Sequence, residues 1–212
     1  VPTMSAPAAP PPTTPDHRLA RINAARRAVL HGEGPEEVPV ESWIERSWRR
    51  CLSNGQRPQQ QVGFDVVSPQ ELRRTQESNR DLVDAARPVL ETLSRAIANT
   101  RYFAILTNAR GVVVDVNGPI DRSDRRATMI ARVGVDLSEA SVGTTAIGAA
   151  LIEQQPVWLH RGEHFFADTS IYSCAGAPLF GPAGQCVGML DLTGIEAVER
   201  PELRHLVDRK ST

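Results

Sequence analysis

Residues 102–118, YFAILTNARGVVVDVNG, decide the fold. Two apolar runs in this stretch flank the segment Asn108-Ala109-Arg110-Gly111. Short apolar runs around such a segment indicate a β-hairpin, and Gly111 suits a turn position with positive φ. Residues 173–194, SCAGAPLFGPAGQCVGMLDLTG, repeat the pattern around the turn 181–184. The sequence therefore predicts two antiparallel hairpins.

The segments between and after the hairpins complete a mixed fold. Residues 156–160, PVWLH, form a third predicted strand between the two hairpins. A loop-and-helix region at 120–132, a helix that opens at Gly143 and a helix from Arg200 are also predicted. The resulting order is strand, strand, helix, helix, strand, strand, strand, helix. This order is typical of an α+β fold, in which helices flank an antiparallel sheet.

Helical patterns dominate the chain before the first hairpin. Helices are predicted over 16–31 and over 40–53, and the second ends at Asn54-Gly55. Residues 1–15, VPTMSAPAAPPPTTP, are rich in proline and alanine and are expected to form a disordered tail. The sequence therefore divides into this tail, an N-terminal helical segment over 16–67, a long helix over 68–100 and a sheet domain over 101–212.

The long helix has a clear beginning and a broad apolar stripe. Ser68 and Glu71 form a capping box, and the pattern continues to about residue 99 with Pro88 expected to bend or divide the helix. The stripe consists of Leu72, Asn79, Leu82, Ala86, Leu90, Leu93 and Ile97. Because this stripe is wider than one small sheet needs, we expect a homodimer through the long helices.

Composition excludes several classes of protein. The 212 residues carry a net charge of −1, which leaves no bulk electrostatic signature for nucleic acid or a membrane surface. No apolar run is long enough to cross a bilayer, and no signal peptide is recognisable. The three cysteines are far apart in the sequence and do not resemble a secreted disulfide framework. These features together predict a cytoplasmic location.

The stretch 138–151, SEASVGTTAIGAAL, first suggests a phosphate-binding loop. Gly143 and Gly148 have the G-x-x-x-x-G spacing, but Ala149 and Ala150 stand where such a loop needs Lys and Ser or Thr. The alternative is a helix that Thr144 caps with its hydroxyl. Its glycines would then allow close packing beside a cavity, and its free N–H groups would favour a small polar ligand.

Three stretches together carry a family resemblance. Residues 134–151, GVDLSEASVGTTAIGAAL, and 162–194, which begin GEHFFADTSIYSC, resemble the GAF sensor domain of sigma-54-dependent transcriptional activators of the acetoin-catabolism type. Residues 42–58, SWIERSWRRCLSNGQRP, resemble the N-terminal helical segment of the same regulators. The resemblance implies a GAF-like antiparallel sheet with an N-terminal helical extension and a long dimerising helix.

The resemblance also implies a function and a set of partners. Such regulators join a sensor domain to an AAA+ ATPase and a DNA-binding helix-turn-helix, so this chain is expected to be a sensory fragment without enzyme activity or cofactor. Its expected ligand is a small organic effector of the ketone, diol or aldehyde class. In the intact protein the partners would be promoter DNA and sigma-54 RNA polymerase. Thr145 stands where the family often has Asn, which could change the effector.

A small-molecule pocket needs apolar walls and a few convergent polar groups. The ligand-binding candidates are Glu139, Thr144, Thr145, Trp158, His164, Phe165, Cys174 and Asp191. Trp158 and Phe165 would supply walls, and the others would supply polar contacts. For each residue taken alone, an ordinary role in the core is the alternative.

Other functions are weighed against the sensor. His160, Glu163, His164 and Cys174 are metal-ligand types, but their spacing matches no common metal motif, and no metal site is predicted. A thiol-based GAF methionine-sulfoxide reductase would use Cys174 with Cys186, yet no cation stands beside Cys174 to lower its pKa. A module that senses a partner protein is the third alternative.

Overall fold

The computed structural model describes residues 15–33 and 39–211. The predicted tail therefore lies almost wholly outside the described residues. The helices are α1 Pro15–His31, α2 Ser42–Ser53, α3 Pro69–Ser78, α4 Arg80–Ala96, α5 Arg125–Ile130, α6 Glu139–Val142, α7 Ala146–Glu153 and α8 Leu203–Ser211. The strands are β1 Tyr102–Asn108, β2 Val113–Asn117, β3 Val157–His160, β4 Tyr172–Phe180 and β5 Cys186–Ile195.

The five strands form one antiparallel sheet in the order β2-β1-β5-β4-β3. Both predicted hairpins are present, with β1 paired to β2 and β4 paired to β5. Gly111 has φ 86° in the first turn, as expected for a left-handed turn position. The two hairpins meet because β5 also pairs with β1 along the whole length of β1. The predicted α+β architecture is thus confirmed, and the short helix α6 adds one element to the predicted order.

The sheet has a separate apolar core on each face. On one face α7, α5 and α2 cover residues that include Ile105, Leu159 and Cys174. On the other face α4 and α8 cover residues that include Leu106 and Trp158. Neighbouring residues of a strand point to opposite faces, so each strand contributes to both cores.

The long helix is divided, but not where the sequence predicted. Ser68 caps α3 by accepting a hydrogen bond from the Glu71 N–H at 3.2 Å, which is one half of the predicted capping box, whereas the Glu71 carboxylate pairs with Arg110. The break falls at Asn79, whose side-chain amide donates to the Thr75 carbonyl at 2.7 Å. Pro88 lies within an uninterrupted α4. The carbonyl that Pro88 leaves without an amide donor belongs to an exposed residue, so water can satisfy it.

The apolar stripe of the long helix is only partly available to a second chain. Leu90, Leu93 and Ile97 are completely buried against the sheet of the same chain. Leu82 and Ala86 are half-buried and pack at the edge of that core. Within the described ranges, no helix is long and apolar enough to span a bilayer.

Candidate functional site

A small cavity lies between the sheet and the N-terminal end of α7. Its volume is about 30 Å³, which is enough for one or two water molecules. It is lined by Phe64, Ile105, Ile130, Leu137, Thr145, Ala146, Ile147, His164, Thr169, Tyr172, Cys174, Asp191 and Thr193. Four of the predicted site residues, Thr145, His164, Cys174 and Asp191, are therefore brought together in one place.

The residues that connect α6 to α7 lead the chain to the cavity. Gly143 ends α6 with φ 67°, a conformation that favours glycine. A Cβ atom at Gly143 would also lie 2.8 Å from the ring of Phe166. The cap of α7 is Thr145, which accepts a hydrogen bond from the Gly148 N–H at 3.2 Å. The prediction that Thr144 caps this helix is wrong, because the cap lies one residue later and α7 begins at Ala146 rather than at Gly143.

Gly148 has a different role from the one expected. A Cβ atom there would lie 2.8 Å from the backbone nitrogen of Glu139. The glycine therefore permits α7 to pack closely against α6, and it does not line the cavity. The sequence analysis assigned the glycines to close packing beside a cavity. For Gly148 the structure supports the close packing but not the position beside the cavity.

Asp191 is the most unusual group in the cavity. Its side chain is completely buried on β5, and Oδ2 accepts a hydrogen bond from the Thr193 hydroxyl. Oδ1 has no hydrogen-bond partner among the residues that the structure describes. Burial raises the pKa of Asp191 to about 7, although the Thr193 hydrogen bond opposes the shift.

His164 and Cys174 lie beside this carboxyl group. His164 Nδ1 is 2.9 Å from the Arg161 carbonyl oxygen, so Nδ1 carries the proton and Nε2 is the acceptor. Nε2 lies 3.6 Å from Cys174 Sγ, and Sγ lies 3.6 Å from Thr193 Oγ1. Burial lowers the pKa of His164 to about 4, so the ring is neutral at physiological pH.

The thiol environment does not favour nucleophilic chemistry. Burial, followed by the charge of Asp191, raises the pKa of Cys174 well above its usual value. Only a thiolate is a good nucleophile. The potential partner Cys186 pairs with Phe180, whereas Cys174 pairs with Thr193. Six strand positions separate the two cysteines, which is about 20 Å at the usual strand rise.

Glu139 and Thr144 do not line the cavity but form a polar junction with α2. The Arg50 guanidinium donates to the Glu139 carboxylate at 2.8 and 3.0 Å. The Ser47 hydroxyl donates to the same carboxylate and lies 2.7 Å from Thr144 Oγ1. The prediction of ligand contacts at these two residues has no support in this geometry, because α2 occupies their polar atoms.

Trp158 and Phe165 also lie away from the cavity. Cys174 pairs with Leu159, so Trp158 faces the opposite side of the sheet, where it belongs to the core that α8 covers. Phe165 is completely buried beside Phe166, with ring centroids 5.0 Å apart. Trp158 was assigned to the cavity without knowledge of the strand register, and a shift of one residue reverses the face.

Residues 161–166, here called the closing loop, carry His164, which lines the cavity. The Arg18 guanidinium donates to both carboxylate oxygens of Glu163, each at 2.9 Å. Arg26 donates to the carbonyls of Gly162, His164 and Phe165 at 2.6–3.0 Å. Trp48 Nε1 donates to the Glu163 carbonyl at 2.9 Å. The N-terminal helices therefore hold the loop that carries His164.

Sequence reasoning missed several residues of this region. Arg18, Arg26, Ser47 and Arg50 lie on helices whose partners are more than eighty residues away, and no local pattern reveals such contacts. Thr193 could have been found, since it lies two residues after Asp191 and shares its face of the strand. Within the described part of the chain, no group of three metal-ligating side chains is placed to hold an ion.

Comparisons with known proteins place this geometry in context. A family described as the MimR N-terminal domain matches residues 23–211. The acetoin catabolism regulatory protein of Cupriavidus necator is 31% identical over 175 residues, which cover 81% of this chain and 26% of that protein. The propane 2-monooxygenase operon transcriptional activator MimR of Mycolicibacterium goodii is 31% identical over 172 residues, covering 80% of this chain and 28% of that protein.

The chain thus spans about a quarter of the length of these curated relatives. A solved structure with the same fold is that of the E. coli DhaR(N)–DhaL complex, with a TM-score of 0.72 and 17% identity. The match covers 81% of this chain and 59% of the solved one.

Proposed function

Because the chain belongs to the MimR N-terminal domain family, we propose that it is the effector-sensing region of a transcriptional activator of a catabolic operon. The family is a regulatory domain rather than an enzyme, and the curated relatives are named as an acetoin catabolism regulatory protein and as a transcriptional activator of a propane 2-monooxygenase operon. The resemblance drawn from the sequence agrees with this family. Effector binding and the nature of the effector are part of the proposal.

The observation that carries the proposal is the buried cavity with its closing loop. The cavity combines apolar walls with a few polar groups, which is the composition of small-molecule sites. It contains Asp191, whose Oδ1 is unpartnered within the described residues. A purely structural core would satisfy or exclude such a group, since an unpaired buried polar atom destabilises the fold.

Binding would change the closing loop. At about 30 Å³ the cavity is smaller than an organic effector, so the loop or α7 must move when the effector enters. The loop is held by α1 through Arg18 and Arg26 and by α2 through Trp48. An effector that binds one loop position better than another would therefore shift the arrangement of both helices.

The signal would leave the domain through its helices. Arg18 pairs with Glu199, just before α8, as well as with Glu163. A movement of the loop would therefore change the position of the C-terminal helix α8. In the intact regulator this helix would lead to the ATPase. We include in the proposal a homodimer through the long helices, promoter DNA and sigma-54 RNA polymerase as partners, and a cytoplasmic location.

A matched pair of variants tests the cavity. Ala146 lines it and is completely buried, whereas Ala177 is completely buried in the core on the opposite face of the sheet. Both are changed to Val, and the chain is titrated with small ketones, alcohols, diols and aldehydes while backbone amide resonances are followed by NMR. Ala146→Val is expected to abolish binding, and Ala177→Val is expected to retain it. Binding that survives in both folded variants places the site elsewhere.

A second candidate function is recognition of a partner protein. An apolar groove of about 650 Å³ runs between α4 and the β4–β5 hairpin, with Phe180 48% exposed at its edge. The solved structure of similar fold is a complex of DhaR(N) with DhaL. Phe180→Ser should weaken a partner complex and leave effector titrations unchanged, which separates the two functions.

A further inference from the structure

We propose that Asp191 anchors a small, uncharged, hydroxyl-bearing molecule in the cavity, accepting a hydrogen bond from its O–H at Oδ1. This inference rests on the proposed function, because it assumes that the cavity is the effector site. It adds the chemical class of the ligand and the atom that selects it.

Most of the polar hydrogens around the cavity already have an acceptor within the protein. Thr193 gives its proton to Asp191 Oδ2, because a carboxylate oxygen can only accept. His164 gives its Nδ1 proton to the Arg161 carbonyl, for the same reason. The Cys174 thiol proton has two acceptors at 3.6 Å, His164 Nε2 and Thr193 Oγ1.

The remaining hydroxyl groups of the cavity show which polar atom is left without a hydrogen-bond partner. Thr169 donates to the Phe166 carbonyl at 3.0 Å, and Tyr172 donates to the Arg126 carbonyl at 3.2 Å. Thr145 accepts from the Gly148 N–H and keeps its own proton. Of the cavity-lining side chains, Asp191 is therefore the one whose buried oxygen lacks a partner within the described residues.

The charge of the cavity disfavours anionic ligands. The residues that line the cavity include no Lys or Arg, and His164 is neutral above about pH 4 because burial lowers its pKa. A carboxylate or phosphate ligand would thus lie beside Asp191 without a compensating cation. Like charges in a buried site repel strongly, so anionic metabolites are excluded by the same residue that attracts a hydroxyl group.

The protonation state of Asp191 distinguishes alcohols from ketones as ligands. The titratable groups near Asp191 are Cys174 and Tyr172, both neutral because burial raises their pKa, and His164. The cavity-lining residues of α7 and α5, which include Ala146, Ile147 and Ile130, add no titratable side chain. Above its pKa of about 7 the Asp191 carboxylate can only accept hydrogen bonds. An alcohol can donate to it, and a ketone cannot.

Three probes of similar size and branched shape test the inference. Propan-2-ol, acetone and acetate are titrated at pH 8.5 into the chain, and amide resonances around Asp191 and Thr193 are followed by NMR. Propan-2-ol is expected to bind, acetone to bind roughly tenfold more weakly, and acetate not to shift these resonances. Millimolar dissociation constants are expected for ligands of this size.

Variants of Asp191 test whether propan-2-ol binding depends on the acceptor oxygen of this side chain. Asp191→Leu removes the acceptor and keeps the branched shape of the side chain, although its methyl groups are larger than the carboxylate oxygens, and propan-2-ol binding should fall at least roughly tenfold. Asp191→Asn keeps an acceptor oxygen, so binding should stay within about threefold of the parent, and it also covers the case in which the Leu variant does not fold. Asp115→Asn on β2 is the matched control, because Asp115 belongs to the same sheet but does not line the cavity.

The outcomes distinguish this inference from the proposed function. If propan-2-ol binds equally well to the parent and to folded Asp191→Leu, the anchor is wrong and the sensor proposal stands. If acetone or acetate binds as well as propan-2-ol at pH 8.5, the hydroxyl class is wrong. If none of the probes binds while the broader effector titration succeeds, the inference fails alone. If nothing binds in either experiment, both fail.

Discussion

Arg18 and Glu163 form a two-pronged ion pair across 145 residues of sequence, with the guanidinium Nη2 at 2.9 Å from each carboxylate oxygen. The Glu163 side chain is 8% exposed and that of Arg18 is 26% exposed. Burial raises the pKa of Glu163, and the positive charge of Arg18 opposes that shift. The pair fixes α1 on the loop that carries the cavity residue His164.

The first prediction concerns this pair. Arg18→Met should lower the free energy of unfolding by about 1–3 kcal/mol, because it leaves a buried carboxylate without its cation. The effect should be much smaller in the background of Glu163→Gln, which a double-mutant cycle with chemical denaturation measures.

Arg87→Met is the control for this first prediction. Arg87 pairs with Asp84 on the surface of α4, where both side chains are about 60% exposed. Exposed pairs contribute little, so the change should stay below about 0.5 kcal/mol. Equal losses in the Arg18 and Arg87 variants would contradict the special role of the Arg18 pair.

The sheet and its hairpins could be predicted because their signals are local. Turn residues such as Gly111 and the capping box of Ser68 and Glu71 depend on neighbours a few positions away. The position of α1 could not be predicted, because Arg18 and Arg26 bind partners more than 130 residues distant. Such contacts leave no periodic pattern in the sequence.

The site was predicted in part, and the reason lies in strand register. Thr145, His164, Cys174 and Asp191 line the cavity as residues of the expected kind in the expected place. Trp158 does not, because β3 pairs Leu159 with Cys174 and so turns Trp158 to the other face. Composition indicates which residue types a pocket needs, but pairing register decides which of them face it.

The second prediction concerns Thr145, which both lines the cavity and caps α7. Thr145→Val should lower the free energy of unfolding by about 1 kcal/mol, because the Gly148 N–H loses its acceptor. Thr145→Ser keeps the hydroxyl and should remain within a few tenths of the parent. Thermal and chemical unfolding of both variants provide the measurement, and a Val variant as stable as the Ser variant would refute the capping role. Loss of ligand by the Val variant alone therefore does not identify a ligand contact.

The third prediction concerns the contact between α6 and α7. Gly148→Ala introduces a Cβ atom 2.8 Å from the Glu139 backbone nitrogen. Although alanine favours helices, this backbone cannot move aside easily, and the variant should be destabilised by about 1–3 kcal/mol. A denaturation midpoint equal to or above that of the parent would show that the two helices separate without cost.

The fourth prediction concerns assembly. The sequence-based dimer was assigned to the whole stripe of the long helix, but Leu90, Leu93 and Ile97 are buried within one chain. The half-buried Leu82 and Ala86 remain available for contact with a second chain. They lie in the same groove as the exposed Phe180 of the β4–β5 hairpin. We expect a homodimer through this narrower surface, and Leu82→Glu should convert it to a monomer in light scattering. A parent chain that is monomeric at high concentration would exclude the dimer and leave the groove to a partner protein.

The fifth prediction concerns the pH dependence of stability. The pKa of Asp191 is raised by burial to about 7 from an ordinary value of 3.8. The folded state therefore prefers the protonated carboxyl, so its stabilising contribution is complete below about pH 4 and is lost as the pH rises to about 7. Each unit of pKa shift corresponds to about 1.4 kcal/mol. Asp191→Asn cannot ionise, so its stability relative to the parent should increase by a few kcal/mol between pH 4 and pH 7 and then level off.

Two features make this last measurement decisive. Burial lowers the pKa of His160 and of His164 to about 4, so both remove stability as the pH falls below their ordinary value of 6.5. These histidines are present in the parent and in the variant alike, and their contribution cancels in the difference. Asp115→Asn supplies the control for a carboxyl group at the half-buried edge of the sheet. If the Asp191→Asn difference is independent of pH between 4 and 7, the Asp191 carboxyl has an ordinary pKa and is reached by water.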